Sequence, residues 1–234
     1  IIRGPKGTKV VLTILREGEN FDVEIIRDVI NVPTVEWKML ENEIALLGVY
    51  HFSESTSQDF KKAVFEIINN DAKGIILDLR NNPGGLVNQA IDVAGWLLNR
   101  NDLVMIEKGR DGVKKEFRTN GSGDLISYPT VILINEGTAS ASEILAGALK
   151  DNRNLTLIGE KSYGKGTVQK LINLSDNLML KVTIAEWLTP NGNVINDNGI
   201  APDIEVELTL EDYEQQKDPQ LEKAIEEISK KINI

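Results

Sequence analysis

Between Val131 and Asp151 the chain reads VILINEGTASASEILAGALKD, and the period of its apolar residues changes partway. Val131 to Ile134 form a short continuous apolar run, as in a buried strand. Asn135, Glu136 and Gly137 break it. From about Ala139 onward Ile144, Leu145, Ala148 and Leu149 recur at helical spacing on one face. A strand therefore runs through a tight turn into a helix, with Ser140 at the helix mouth. The first N–H groups of a helix have no intrahelical partner, and the dipole there favours negative charge. A serine so placed can attack a carbonyl while neighbouring N–H groups hold the oxyanion. The same residues support a plainer role, because Ser140 and Glu143 form S-x-x-E, a capping box. On spacing alone both readings stand.

What the chain lacks narrows the chemistry. It has one histidine, His51, and no cysteine, which excludes a cysteine nucleophile, thiolate metal sites and disulfides. No metal site and no cofactor are expected, since a metal would have to rely on carboxylates. A Ser-His-Asp triad would have to use His51, which lies in the apolar run IALLGVYHF and reads as a core or rim residue. An enzyme built on Ser140 therefore needs a base that is neither histidine nor cysteine. The net charge of −10 argues against a nucleic-acid or anionic-membrane partner. No apolar run approaches the roughly 18 residues of a membrane span.

Taken in order, Gly7 to Arg16 and Phe21 to Arg27 alternate around Glu17–Asn20 and predict a hairpin. Val35 to Leu40 and Ile44 to Phe52 read as strands. A helix follows to about Asn70, with Phe60, Val64, Ile67 and Ile68 on one face. Gly74 to Gly85, GIILDLRNNPGG, is a buried strand and a loop. Leu86 to Asn99 reads as a second helix. Leu103 to Lys108 and Val113 to Arg118 read as a hairpin. Leu155 to Ile158, Thr167 to Ile172 and Leu178 to Leu188 are further strands, and Thr189 to Ile204 is turn-rich. Asp218-Pro219 caps a last helix, whose stripe of Leu221, Ile225 and Ile228 is expected to pack on the core. Strands alternating with helices, flanked by hairpins, predict an α/β fold with a mixed sheet. The expected boundary lies between Asp28 and Thr34, beside Pro33.

The loop GEKSYGKG, Gly159 to Gly166, fits all but the last position of a P-loop and follows a strand. Three features oppose that reading. Gly166 stands where the magnesium hydroxyl belongs, and the aspartate strand IILDL lies far upstream. The segment after the loop alternates as a strand, whereas a P-loop needs a helix N-terminus facing phosphate. Lys165 fits better as the base that a weak serine nucleophile requires. A free lysine titrates near 10.4, so this role calls for apolar surroundings that favour the neutral amine. The flanking strands are apolar enough to predict them. Taken alone, Lys165 also reads as a solvated loop lysine.

Four motifs, DLRNNPGG (Asp78 to Gly85), ASASEI (Ala139 to Ile144), GKGTVQ (Gly164 to Gln169) and TPNG…GIAPDI (Thr189 to Ile204), together resemble the carboxyl-terminal processing proteases, the S41 serine peptidases. The likeness runs from about residue 35 through nearly the whole chain. It implies a ClpP/crotonase-like protease core over residues 31–234. It also implies an ATP-independent serine endopeptidase that cleaves proteins near their C-termini through an acyl-enzyme.

The roles that the resemblance implies are as follows. Ser140 is the nucleophile, Lys165 the general base, and Gln169 the residue that orients Lys165. The oxyanion hole uses N–H groups of Ala141 and of Gly84 or Gly85. Asp151 is a supporting acidic residue or simply a helix-terminal surface aspartate. Residues 1–30 resemble the C-terminal remnant of a PDZ domain without its carboxylate-binding loop, and sequence upstream of Ile1 is expected. The implied partners are protein or peptide substrates with exposed C-termini, with a homo-oligomer or regulatory partner also open. The implied location is extracytoplasmic. The alternative is a catalytically inactive or resting peptide-binding or scaffold protein on the same fold.

Overall fold

The computed structural model describes residues 2–29, 33–175 and 178–232, which form two compact units, residues 1–33 and 34–234. In the first, β1 (Lys9–Arg16) and β2 (Glu19–Ile26) pair antiparallel with Arg16 opposite Glu19. The connection is thus two residues, tighter than the four-residue break predicted. Glu17 and Gly18 both take positive φ, 54° and 84°, the geometry that matches the twist of paired strands. None of residues 2–29 is buried.

In chain order the second unit contains β3 (Val35–Met39), β4 (Ile44–Val49), α1 (Thr56–Asn69), β5 (Gly74–Asp78), α2 (Val87–Leu97), β6 (Leu103–Gly109), β7 (Lys114–Arg118), β8 (Thr130–Ile134), α3 (Ala141–Arg153), β9 (Thr156–Gly159), β10 (Thr167–Ser175), β11 (Leu178–Leu188), β12 (Ile204–Glu205), α4 (Leu210–Glu214) and α5 (Pro219–Ile232). The main sheet has the order β12-β9-β8-β5-β4-β3. Five of its strands run parallel, and β3 pairs antiparallel at one edge. A second sheet, β10-β11-β6-β7, is antiparallel throughout. The mixed α/β class is therefore as expected.

The near-continuous apolar runs in β4, β5 and β8 reflect burial on both faces. Ile75, Leu77, Ile132 and Ile134 face a core shared with α1, α2 and α3, whereas Ile76, Val131 and Leu133 face α5. Leu221, Ile225 and Ile228 of α5 do pack on the sheet, together with Ala224. Two elements lie outside the sequence reading. Strand β12 is only two residues long, and α4 has no buried residue, so neither leaves a periodic trace.

One ion-pair system ties α5 to the loop after β5. The Arg80 guanidinium bonds both carboxylate oxygens of Asp78 and both of Asp218. Asp218 also caps α5, accepting the Leu221 N–H at 2.9 Å. Burial opposes ionisation of Asp218, but bonds from Arg80 and from the Leu221 and Gln220 N–H groups outweigh it and hold the carboxyl below its ordinary value. A depressed folded-state value adds stability above the unfolded-chain pKa near 4, and that stability is lost as pH falls through the folded value. Asp218→Asn should therefore destabilise the fold by about 1–3 kcal/mol at pH 7. The gap to the unmutated chain should close as pH drops below about 4. Urea titrations at several pH values measure both.

Candidate active site

Four segments meet at the carboxyl ends of adjacent parallel strands, where open α/β sheets place their sites. Phe52 follows β4, the NNPGG loop follows β5, the turn to α3 follows β8, and the glycine-rich loop follows β9.

The turn from β8 to α3 is as sharp as the change of period predicts. Ser140 is the N-cap residue with φ 60° and ψ −117°, a region that non-glycine residues occupy at a cost of about 1–3 kcal/mol. A strained strand-to-helix elbow is a recurrent device for presenting a nucleophile. Its hydroxyl makes no capping hydrogen bond to the helix. The residue is 8% exposed. Its carbonyl accepts the N–H groups of Glu143 and Ile144, and its own N–H donates to Glu143 Oε2 at 2.7 Å. The bond from the Ser140 N–H to Glu143 is the limb of the S-x-x-E capping box that ties the carboxylate to the elbow. The Ala141 N–H has no hydrogen-bond partner among the described residues.

The NNPGG loop is lashed to this elbow. Asn82, fully buried, donates to the Val49 carbonyl, and its own carbonyl accepts the Ala139 N–H and the Ser142 hydroxyl. Asn81 and Asn135 bond reciprocally. Gly84, at φ 94°, lies directly against the serine: a Cβ there would come within 2.7 Å of Ser140 Cβ and 2.9 Å of the Ala141 nitrogen. The Gly84 N–H, however, already donates to Asn82 Oδ1 at 2.9 Å. The Gly85 N–H makes no hydrogen bond among the described residues. Pairing with Phe52 uses only the Gly84 carbonyl and the Leu86 N–H. Of the two glycines, Gly85 thus has the free donor.

The glycine-rich loop runs into strand β10, as its alternation predicts. Its Tyr163 N–H donates to the Thr138 carbonyl. Glu143 draws the rest in. Its carboxylate, 0% exposed, accepts the Ser162 hydroxyl and the Gly164 N–H on Oε1, both at 2.6 Å, and the Lys165 N–H on Oε2 at 2.9 Å. With the Ser140 N–H these four donors fill the roughly four acceptor sites of a carboxylate. The Ser140 and Lys165 amide nitrogens share Oε2, so they lie no further apart than the sum of those two bonds, about 5.6 Å.

The side chains are less closely joined than the backbones. No hydrogen bond links Ser140 Oγ to Lys165 Nζ, and the Lys165 amine has no ion pair among the described residues. Lys165 is exposed, so the apolar enclosure expected from the flanking strands is not present. The physical reason is that Ile172, Leu174, Leu178, Met179 and Leu180 of the β10–β11 hairpin are themselves exposed. Gln169 is also exposed and is not bonded to Lys165; it sits at a β-bulge in the pairing with β11. Asp151 is partly buried and accepts the Asn191 N–H at 2.8 Å, which fastens α3 to the TPNG turn. His51 is partly buried, and its carbonyl accepts the Thr56 hydroxyl.

Sequence reasoning missed Glu143 as anything beyond a cap, and missed Ser162 and Asn82 altogether. A signal for Glu143 did exist. Every residue from Ala141 to Leu149 is buried, and a charge inside a helix stretch that is apolar all round must find partners.

The profile of Peptidase family S41 matches residues 43–206. The carboxy-terminal processing protease CtpA of Bacillus subtilis (strain 168) is 42% identical over 209 residues, covering 89% of this chain and 45% of that protein. The carboxy-terminal-processing protease of Bartonella bacilliformis is 43% identical over 216 residues, covering 89% of this chain and 49% of that protein. The chain thus spans slightly less than half the length of these relatives. Among solved structures, the photosystem II D1 C-terminal processing protease superposes with a TM-score of 0.73 at 28% identity, over 87% of this chain and 57% of that one.

The contact between Gly84 and the elbow carries its own test. Gly84→Ala combines a positive-φ penalty with a clash against Ser140 and should cost about 2–4 kcal/mol of stability. Chemical denaturation would measure it.

Proposed function

We propose, from the premise that this chain belongs to peptidase family S41, that it is the proteolytic core of an ATP-independent carboxyl-terminal processing protease. The observation that carries the proposal is the strained elbow that holds Ser140 at the mouth of α3, with Gly84 packed against it and Lys165 tied to the same carboxylate.

In this reading Ser140 Oγ attacks the scissile carbonyl carbon as the neutral Lys165 amine takes its proton. The carbonyl oxygen becomes an oxyanion held by the Ala141 and Gly85 N–H groups, which make no hydrogen bond among the described residues. Collapse breaks the C–N bond, Lys165 returns the proton to the leaving amine, and an acyl-enzyme ester remains. Water then attacks the ester, losing its proton to Lys165, and the Ser140 hydroxyl is regenerated. Gln169 orients Lys165 once that side chain turns inward, and Asp151 supports the fold of the TPNG turn. Substrates are unfolded or tailed proteins with exposed C-termini, as the names of the relatives suggest. Residues 1–30 are the end of a PDZ domain. The unburied apolar residues of the hairpin, Val11, Leu15 and Phe21 among them, support that assignment. A place of action outside the cytoplasm follows from the family resemblance alone.

A second reading, a resting or inactive peptide-binding protein on this fold, is favoured by Lys165, which is exposed and has no amine partner among the described residues. Apo geometry does not exclude catalysis, since catalytic bonds often tighten only with substrate. Cleavage of casein by this chain, beside Ser140→Ala and Lys165→Ala, separates the two. The protease reading expects each variant to stay folded and lose about 10³-fold or more. Activity surviving in Ser140→Ala would remove the serine from the mechanism. An unmutated chain inert on casein, both alone and with a complete PDZ domain fused ahead of residue 1, would favour the binding protein.

A further inference from the structure

We infer that Glu143 is a positioning residue for the dyad: its buried carboxylate sets the distance between the Ser140 elbow and the Lys165 loop by bonding the backbone of both. The inference rests on the Ser-Lys reading and goes beyond helix capping.

Three observations carry it. First, the two segments meet on a single oxygen, Oε2, which accepts the N–H of Ser140 and the N–H of Lys165. A cap that served only α3 would have no use for the lysine loop. Second, the other oxygen holds the same loop twice more, through the Ser162 hydroxyl and the Gly164 N–H. Ser162 in turn accepts the Ile200 N–H at 2.7 Å, so the carboxylate also reaches the GIAPDI segment. Third, nothing among the described residues holds the Lys165 side chain by its amine. Where that amine can reach is therefore set by where the chain places its root, and Glu143 holds the Lys165 N–H itself, alongside the Tyr163 N–H bond to the Thr138 carbonyl. A lysine on a flexible four-carbon stem gains most from a fixed backbone.

The carboxylate is well suited to this task. Its bonds go to main-chain N–H groups and to one hydroxyl, in a site without water access, where each bond is stronger than on the surface. Removing one acceptor strands a buried donor. Glu143→Gln keeps the shape but turns one acceptor oxygen into a donor amide facing donors. Ser162→Ala removes the hydroxyl bond to Glu143 and the acceptor of the Ile200 N–H, and touches neither Ser140 nor Lys165.

The test uses the whole chain on casein, with active protein counted by a serine-reactive fluorophosphonate so that unfolded material does not enter kcat. For Glu143→Gln a fall in kcat of about 100-fold is expected, with KM within about threefold, the signature of misplacement and not of lost substrate binding. For Ser162→Ala a loss of roughly tenfold in kcat is expected, again with little change in KM. Amide hydrogen exchange gives a readout independent of catalysis. The Lys165 amide should be protected in the unmutated chain and lose protection in both variants, while the amide of Leu133 in β8 stays protected. A folded Glu143→Gln with normal kcat per active site would overturn the inference. If that variant does not fold, Ser162→Ala decides, and unchanged kcat and exchange there overturn it. If Ser140→Ala remains active, the Ser-Lys reading fails instead, and the clamp is judged on the exchange of the Lys165 amide alone.

Discussion

Ser140 occupies a backbone conformation that costs free energy, and the surrounding structure exists in large part to enforce it. At φ 60° and ψ −117° the residue sits where an L side chain is strained, and it is there that the chain turns from strand β8 into helix α3. The neighbours over-determine it. The Thr138 hydroxyl donates to the Leu79 carbonyl, the Ala139 N–H to the Asn82 carbonyl, and the Ser140 N–H to Glu143. The first two partners belong to the loop after β5 of the parallel sheet and the third to α3, and the sheet is covered by helices on both faces. A rigid floor is the condition for holding a strained turn, because loose packing would let it relax.

The four sequence motifs become one object in this light. NNPGG supplies Asn82 and the two glycines, the elbow supplies Ser140 and Glu143, and the lysine loop supplies Ser162, Gly164 and Lys165. The TPNG…GIAPDI stretch contributes Asn191, bonded to Asp151, and Ile200, bonded to Ser162. The first three lie far apart in sequence and adjacent in space because the parallel strands β5, β8 and β9 deliver them to the same end of the sheet, whereas the fourth follows β11 of the antiparallel sheet and is joined to them by these bonds.

How much of this was legible follows from where each signal resides. The elbow was legible because the period of Val131–Leu149 changes in one place. The last helix was legible because Asp218-Pro219 marks its start and Leu221, Ile225 and Ile228 mark its face. The joining of β11 to β6 was not, since pairing between distant strands leaves no local trace. Glu143 read as a cap because three of its four donors are backbone N–H groups, which every residue carries and no sequence displays. Lys165 was expected among apolar neighbours because β10 and β11 are apolar. That inference fails where apolar strands expose a face, and the β10–β11 hairpin does so.

The Arg80 bridge bears on the order of events in the making of this protein. Arg80 belongs to the loop that carries Gly84 and Gly85, yet one of its carboxylate partners, Asp218, lies 138 residues later. Chains emerge from their N-terminus, and contacts so distant in sequence form late. The glycine loop can be seated early by Asn82, but its outer anchor arrives only with α5, which also closes the second face of the sheet. An incompletely synthesised chain would hold its serine and its lysine on a half-covered sheet with the loop tethered at one side. Until α5 docks, the outer anchor of the glycine loop and the cover of the second sheet face are missing together.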